Sequence, residues 1–139
     1  MDSLTLVTNN REAASLAGGG METVMVSGSP IDVLNRVCEM LRNSYRLISA
    51  PLPPNVPMMR SPFRSLLIMP SEKRCDVLGI EAVLRAIDVM ERQREISMFA
   101  DEDAEIIFDY AMIDVQYVKR AVQEYALLCE ESETWNTPS

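Results

Sequence analysis

Short apolar runs alternate with longer amphipathic stretches along this chain. Runs rich in aliphatic and β-branched residues predict four strands, at residues 3–7, 23–26, 47–50 and 63–69. Apolar residues that recur at steps of three and four predict three helices, over residues 30–43, 80–96 and 101–131. A fourth, short helix is predicted over residues 11–17, between a cap at Asn10 and the glycines at 18–20. The chain is therefore expected to alternate strands and helices, with two helices after the last strand.

The start of the second helix carries the clearest local signal. Ser29 is expected to be its N-cap, Pro30 occupies the first helical position, and Asp32 is placed to hydrogen-bond back to the cap. Asn10 is expected to cap the first helix, and Asp101 the last one. These residues predict where three of the four helices begin.

The alternation of strands and helices predicts the fold class. Strand–helix–strand repeats are typical of a parallel sheet with helices on its faces. We therefore expect a single three-layer α/β sandwich, Rossmann-like or flavodoxin-like, with a mainly parallel sheet of about four strands and a long C-terminal helical segment. The direction of the fourth strand is open, because residues 51–61 are long enough to cross over without a helix. The domain is expected to span residues 1–131, and residues 132–139 to form a flexible C-terminal tail.

The last predicted helix has one apolar stripe. Its members repeat at alternating steps of three and four residues: Val115, Val118, Val122, Tyr125 and Cys129. Covering the sheet of the same chain is the commoner use of such a stripe. A homodimer through the C-terminal helix is the other use, and it stays open at this point.

Composition narrows the chemistry. The 139 residues hold 21 acidic and 13 basic side chains, a net charge of −8 that disfavours a nucleic-acid partner. There is no histidine and the three cysteines form no CxxC pair, so no catalytic residue, metal site or cofactor is indicated. No apolar run approaches the roughly 18 residues of a membrane helix and residues 1–15 lack a secretory pattern, so a cytoplasmic location without membrane contact is expected.

Polar residues follow each of the first three predicted strands. Ligands gather beyond the carboxyl ends of parallel strands, so these segments are expected to share one binding edge. The positive end of the second helix and nearby arginines would favour a carboxylate or phosphate there. The predicted ligand-binding residues are Thr8, Asn9, Asn10, Ser27, Gly28, Ser29, Pro51, Asn55, Arg60 and Arg64. The alternative interpretation is that Asn10 and Ser29 only cap helices while both arginines stay in solvent.

An ordered set of short segments resembles a known family. The segments are Leu6-Val7-Thr8-Asn9-Asn10, Gly28-Ser29 before Asp32-Val33-Leu34, Leu47-Ile48 before Pro51-Leu52, Ser61-Pro62-Phe63 with Ser65, and Phe108-Asp109 with Ile113-Asp114. Together, over residues 4–122, they resemble the GrdX family. Its members are small proteins encoded beside components of glycine, sarcosine and betaine reductases in anaerobic amino-acid fermentation. The order of the segments carries the resemblance, since no single motif is specific.

The chain departs from this family at the end of its third predicted strand and in the loop that follows. Similar proteins have a histidine before the proline–leucine pair, where this sequence has Ala50. Their next loop is richer in glycine, lysine and polar residues, where this one reads Pro-Pro-Asn-Val-Pro-Met-Met at residues 53–59. Any polar recognition that this loop performs in relatives is therefore expected to be altered or lost in this protein.

The residues and the resemblance together favour a non-catalytic accessory protein of glycine/betaine reductase-type metabolism. It is expected to bind a small anionic metabolite or a reductase component. Two alternatives stay open. One is an enzyme of unknown type that acts at the carboxyl edge of the strands, and the other is a homo-oligomeric protein-interaction module.

Overall fold

The computed structural model describes residues 4–16, 21–51, 60–96 and 104–136. Its elements, in chain order, are β1 (Thr5–Thr8), α1 (Arg11–Leu16), β2 (Glu22–Met25), α2 (Pro30–Leu41), β3 (Tyr45–Leu47), β4 (Ser65–Pro70), α3 (Val77–Ile96) and α4 (Ala104–Asn136). This is the predicted order of elements, and the predicted α/β class is confirmed.

The four strands form one mixed sheet in the order β2-β1-β4-β3. β1 and β2 are parallel, with Leu6 opposite Thr23. β4 runs antiparallel to both of its neighbours, β1 and β3. β3 therefore points the same way as β1 and β2, so the first three strands do end at one edge of the sheet.

The direction of β4 corrects the predicted sheet. The sequence predicts a mainly parallel sheet of Rossmann-like or flavodoxin-like type, whereas one of the three strand pairs in the described sheet is parallel and two are antiparallel. A parallel neighbour needs a crossover of about a dozen residues or more, usually a helix. Five prolines between β3 and β4, at positions 51, 53, 54, 57 and 62, oppose a helix in that connection. β4 accordingly returns beside β3 in the opposite direction.

Helices pack on both faces of the sheet. Successive residues of a strand point to opposite faces, and Val7 and Leu6 accordingly belong to different apolar clusters. The first cluster joins the sheet to α2 and α3 and includes Val33, Leu34, Val37, Leu41, Leu66, Ile68, Val83, Ala86 and Met90. The second joins the sheet to α1 and α4 and includes Ala13, Leu67, Val115 and Val118. Burial of these aliphatic side chains is the main stabilising contribution to the fold.

The helix caps form where the sequence predicts them. Ser29 Oγ accepts a hydrogen bond from the backbone N–H of Asp32 at 3.3 Å, and Asp32 Oδ2 accepts one from the backbone N–H of Ser29 at 2.8 Å. Asn10 Oδ1 accepts from the backbone N–H of Glu12 at 3.1 Å at the start of α1. The predicted cap at Asp101 lies outside the described residues.

The C-terminal helix covers the sheet and extends past its predicted end. Val115 and Val118 are buried, and Val122 packs against the second cluster, so this face of α4 lies on its own chain. α4 continues to Asn136, beyond the end predicted near residue 131. The segment predicted as a tail, 132–139, thus falls mostly within the helix, and residues 137–139 lie outside the described ranges.

Candidate ligand-binding site

One edge of the sheet brings the ends of three strands together with the start of the fourth. Thr8, the last residue of β1, pairs with Ser65, the first residue of β4. Because β4 runs the opposite way, Arg64 enters the sheet at the edge where Asn9 leaves it. The backbone N–H of Asn9 donates to the Arg64 carbonyl at 3.4 Å. Residues far apart in the sequence are thus neighbours at this edge.

A continuous chain of hydrogen bonds runs from the edge into α4. The backbone N–H of Asn10 donates to Thr8 Oγ1 at 3.0 Å, and the hydroxyl oxygens of Thr8 and Ser65 are 2.6 Å apart. Ser65 Oγ donates to Asp114 Oδ2, also at 2.6 Å. A hydroxyl has one proton to give, so Ser65 gives its own to Asp114 and accepts that of Thr8. The chain of donors therefore ends at a carboxylate.

Asn10 reaches the same carboxylate from a second direction. Its Nδ2 donates to Asp114 Oδ2 at 3.0 Å and to the carbonyl of Ala111 at 2.9 Å. Asn10 is 1% exposed, so these bonds are sheltered from water. Capping, the alternative interpretation for Asn10, is confirmed, and the same side chain also ties the start of α1 to α4.

Asn9 holds three segments of the edge together. Its Nδ2 donates to the carbonyls of Gly28 and Pro62, each at 2.9 Å. Its Oδ1 accepts from the backbone N–H of Arg64 at 2.9 Å. The structure therefore brings Asn9, Gly28 and Arg64 together, which is the arrangement expected from a shared strand edge.

The loop after β2 is shaped by its own contacts. Gly28 adopts a φ of +143°, where side chains are rarely tolerated, and a Cβ there would collide with the Asp32 carboxylate. Ser29 uses its hydroxyl and its backbone N–H on that same carboxylate. Ser27 is exposed. This loop therefore serves the start of α2, and the Gly28 carbonyl connects it to the edge through Asn9.

The predicted residues between β3 and β4 occupy different environments. Pro51 is half-buried, Arg60 is exposed, and Asn55 lies outside the described residues. Arg64 is 6% exposed. The two arginines that the sequence grouped are thus separated, one at the surface and one in the interior.

Arg64 is a buried cation whose guanidinium has no oxygen acceptor in the described part of the chain. Its Nη2 lies 4.0 Å from the sulfur of Met90, which is a weak acceptor, and its Nε is buried with no acceptor. Burial lowers the pKa of Arg64, and the charge of Asp114 acts in the opposite direction. A guanidinium stays protonated at physiological pH, so the positive charge is retained.

Asp114 is perturbed in the complementary sense. Burial raises the pKa of Asp114, while the hydrogen bonds from Ser65 and Asn10 and the charge of Arg64 lower it. The charges of Arg64 and Asp114 therefore interact, although the two side chains do not form an ion pair. The ion pairs in the described ranges are three exposed ones within α2 and α3.

A cleft of about 690 Å³ opens between α4 and the strands β3 and β4. Its polar lining includes Arg46, Ser49, Arg64, Ser65, Asp114 and Arg120. Ile48, Leu67 and Val118 contribute apolar surface. Among the described residues, three arginines line it against two carboxylates, those of Asp114 and Glu124, so this lining is net positive in a chain of net charge −8. The cleft extends from the predicted edge toward β3 and α4.

Ser65 and Asp114 are absent from the predicted site, although both belong to the segments that carry the GrdX resemblance. A local signal for Asp114 exists. It lies three residues after Ala111 and immediately before Val115, on the buried face of α4. A carboxylate on such a face requires hydrogen-bond partners, and its position therefore marks a buried polar contact.

The described residues offer a limited set of chemical groups. Among them, no three histidine, cysteine or acidic side chains are grouped to hold a metal ion. No described helix is long and apolar enough to cross a membrane. The polar groups that the cleft presents are guanidinium, hydroxyl and carboxylate groups, which recognise ions and hydrogen-bonding groups.

These observations define an α/β protein with a mixed four-stranded sheet and a charged cleft beneath its C-terminal helix. The family model described as GrdX-like protein matches residues 5–123, so the chain belongs to the GrdX-like family. The match confirms the resemblance inferred from the ordered segments, and it includes Arg64, Ser65 and Asp114. No curated protein and no solved structure matches the chain significantly.

The raised pKa of Asp114 predicts a pH dependence of stability. Because the folded state holds the Asp114 proton more tightly than the unfolded chain, this group stabilises the fold most at low pH. That contribution is lost as pH rises from about 4, the ordinary aspartate value, through the raised pKa. Relative to Asp114→Asn, the wild type should therefore lose free energy of unfolding over this range, by about 1.4 kcal/mol for each pH unit by which the pKa is raised.

Urea unfolding of both proteins between pH 4 and 8 measures this difference. The matched control is Glu124→Gln, which removes an exposed carboxylate of the same helix but keeps Asp114, so its stability should change with pH as that of the wild type does. The electrostatic description of Asp114 is contradicted if the free energy of unfolding of the wild type, minus that of Asp114→Asn, stays constant or increases as pH rises.

Proposed function

We propose that this GrdX-like protein is a non-catalytic accessory protein that binds a small anionic metabolite in the cleft beside α4. Its metabolic setting is glycine/betaine reductase-type amino-acid metabolism in the cytoplasm. The resemblance to proteins encoded beside reductase components supports the setting. The chemistry of the cleft supports the binding.

The buried guanidinium of Arg64 is the observation that carries the proposal. Moving a charge out of water is expensive unless a partner compensates, and removing one partner of a buried pair typically costs about 3–5 kcal/mol. Arg64 is 6% exposed, and its Nε has no acceptor among the described residues. A carboxylate or phosphate oxygen in the adjoining cleft would supply the missing acceptor.

The size and charge of the cleft agree with such a ligand. Pockets for small molecules usually enclose about 300–1,000 Å³, and this cleft of about 690 Å³ lies in that range. Arg46 and Arg120 add positive charge to its lining. A positive cleft on an acidic protein raises the local concentration of small anions relative to the rest of the surface.

Binding is favoured over catalysis by how the hydroxyl groups are used. The hydroxyls of Thr8 and Ser65 are committed to the hydrogen-bond chain that ends at Asp114. A nucleophilic hydroxyl needs a base that removes its proton and space for a reacting atom. The chain contains no histidine for that role, and Asp114 Oδ2 already accepts two hydrogen bonds.

Replacing Arg64 by methionine tests the proposal through stability. Arg64→Met removes the buried charge while keeping a long side chain beside Met90. The ligand-free variant should be as stable as the wild type or more stable, by up to about 4 kcal/mol. Acetate, phosphate and acetyl phosphate at millimolar concentration should stabilise the wild type and leave the variant unaffected. A ligand at about one hundred times its Kd adds about 2.7 kcal/mol.

Thermal and urea unfolding, with and without these anions, provide the measurement. The control is Arg85→Met, which removes an exposed arginine paired with Glu81 at 2.6 Å and should keep the response to anions. If no anion stabilises the wild type, and Arg64→Met lowers the free energy of unfolding, Arg64 is a structural residue and the proposal is wrong.

A second candidate function is protein–protein contact through α4. Ile106 is 45% exposed and Ile113 is 40% exposed, and with the half-buried Tyr110 they form an apolar stripe away from the face that covers the sheet. A homodimer through this stripe would have twice the chain mass of 15.6 kDa. Light scattering at high micromolar concentration should then detect a dimer, and Ile113→Glu should dissociate it. A monomeric wild type under these conditions would exclude the homodimer.

A further inference from the structure

The Asp114 carboxylate presents one oxygen to its own chain and the other to the cleft. Both hydrogen bonds that it accepts, from Ser65 and from Asn10, go to Oδ2. Oδ1 accepts none in the described part of the chain, and it is not among the fully buried atoms that lack a partner there, which comprise Arg64 Nε alone. Since Asp114 lines the cleft, Oδ1 is the oxygen that a ligand can reach.

The cleft therefore contains two opposite charges that do not satisfy each other. Arg64 and Asp114 both line it, and each alters the pKa of the other. They are not among the ion pairs of the described residues, so a gap separates the guanidinium from the carboxylate. Among the described residues, the Arg64 guanidinium thus has no oxygen acceptor and Asp114 Oδ1 has no donor, and both residues line the same cleft.

We propose that the ligand of this cleft is a zwitterion, a small molecule that carries an ammonium group and a carboxylate, as a free amino acid does. The inference rests on the proposed binding of an anionic group by Arg64, and it adds an ammonium group to the ligand, which then has no net charge. The carboxylate of the ligand lies against Arg64, and its ammonium group donates to Asp114 Oδ1. The uncharged remainder contacts the apolar wall formed by Leu67 and Val118.

Two other ligand classes fit the pair of charges less well. A phosphate bound by Arg64 would bring two negative charges toward Asp114, and like charges in a poorly hydrated site repel strongly. A simple carboxylate would satisfy Arg64 and leave Asp114 Oδ1 without a donor. A ligand with both groups pairs each buried charge with its opposite, which is how interior charges are normally accommodated.

Asp114→Asn separates recognition of the ammonium group from the structural role of Asp114. The asparagine carbonyl can take the position of Oδ2 and keep the hydrogen bonds from Ser65 and Asn10. Its NH₂ group then replaces Oδ1, so the cleft presents a donor where it had presented an acceptor. The variant is expected to fold, and its circular dichroism and thermal unfolding verify this. Asp109→Asn is the matched control, since it makes the same substitution at an exposed position of α4 that does not line the cleft.

Calorimetric titration of the whole protein with matched compounds tests the proposal. Alanine, serine and leucine are each compared with the corresponding carboxylic acid that lacks the amino group and the amine that lacks the carboxylate. Inorganic phosphate is titrated as well. At least one amino acid should bind about tenfold or more tightly than both of its truncated counterparts and than phosphate. In Asp114→Asn this preference over the deaminated acid should disappear, while Asp109→Asn should keep it.

The possible failures are distinguishable. Deaminated acids or phosphate that bind wild type as tightly as the amino acids overturn the zwitterion and leave anion binding intact. A preference for amino acids that survives in Asp114→Asn likewise overturns the assigned role of Oδ1. If neither anions nor amino acids bind, both the zwitterion and the proposed function are wrong.

Discussion

A single carboxylate oxygen, Asp114 Oδ2, connects α4 both to the sheet and to the start of α1. Asp114 Oδ2 accepts from Ser65 at the start of β4 and from Asn10 at the start of α1. Each donor is fixed in turn, since Ser65 pairs with Thr8 across β1 and β4 and Asn10 caps its helix. Apolar packing between α4 and the sheet holds the helix in place. We expect the polar contact at Asp114 to determine where the helix lies along the sheet. The cleft lies beside that contact, between α4 and the strands β3 and β4.

Two charged groups beside this contact, Arg64 and Asp114, lack a close partner of opposite charge among the described residues. Burial lowers the pKa of Arg64 and raises that of Asp114, because the charged form of each group is costly to bury. A close partner of opposite charge would stabilise the charged form of each group. Groups perturbed in this way and placed at a cleft mark functional sites more often than ordinary core positions do. Anion binding and the zwitterionic ligand are both proposed from this imbalance. They differ in whether Asp114 Oδ1 takes part.

The sequence predicts the elements of this fold better than their pairing. Alternating apolar patterns and caps such as Ser29 are local signals, so the order of strands and helices could be predicted. The direction of β4 depends on which strands it meets, and no local pattern encodes that. The position of Arg64 near the end of the proline-rich loop predicts a cationic ligand residue, but its burial depends on the neighbours that the pairing of β4 gives it and has no local signal. Asp114 was missed because a single acid among apolar residues of a long helix shows its role only once Ser65 and Asn10 are placed beside it.

A double-mutant cycle between Ser65 and Asp114 tests the central contact most directly. Urea unfolding gives the free energies of the wild type, Ser65→Ala, Asp114→Ala and the double variant. If Ser65 positions α4 through its hydrogen bond to Asp114, the effects of the two substitutions on the free energy of unfolding should be coupled by about 1–3 kcal/mol. This is the range expected for a buried hydrogen bond to a charged group. If their effects add to within about 0.5 kcal/mol, the two residues act independently, and the contact does not position α4.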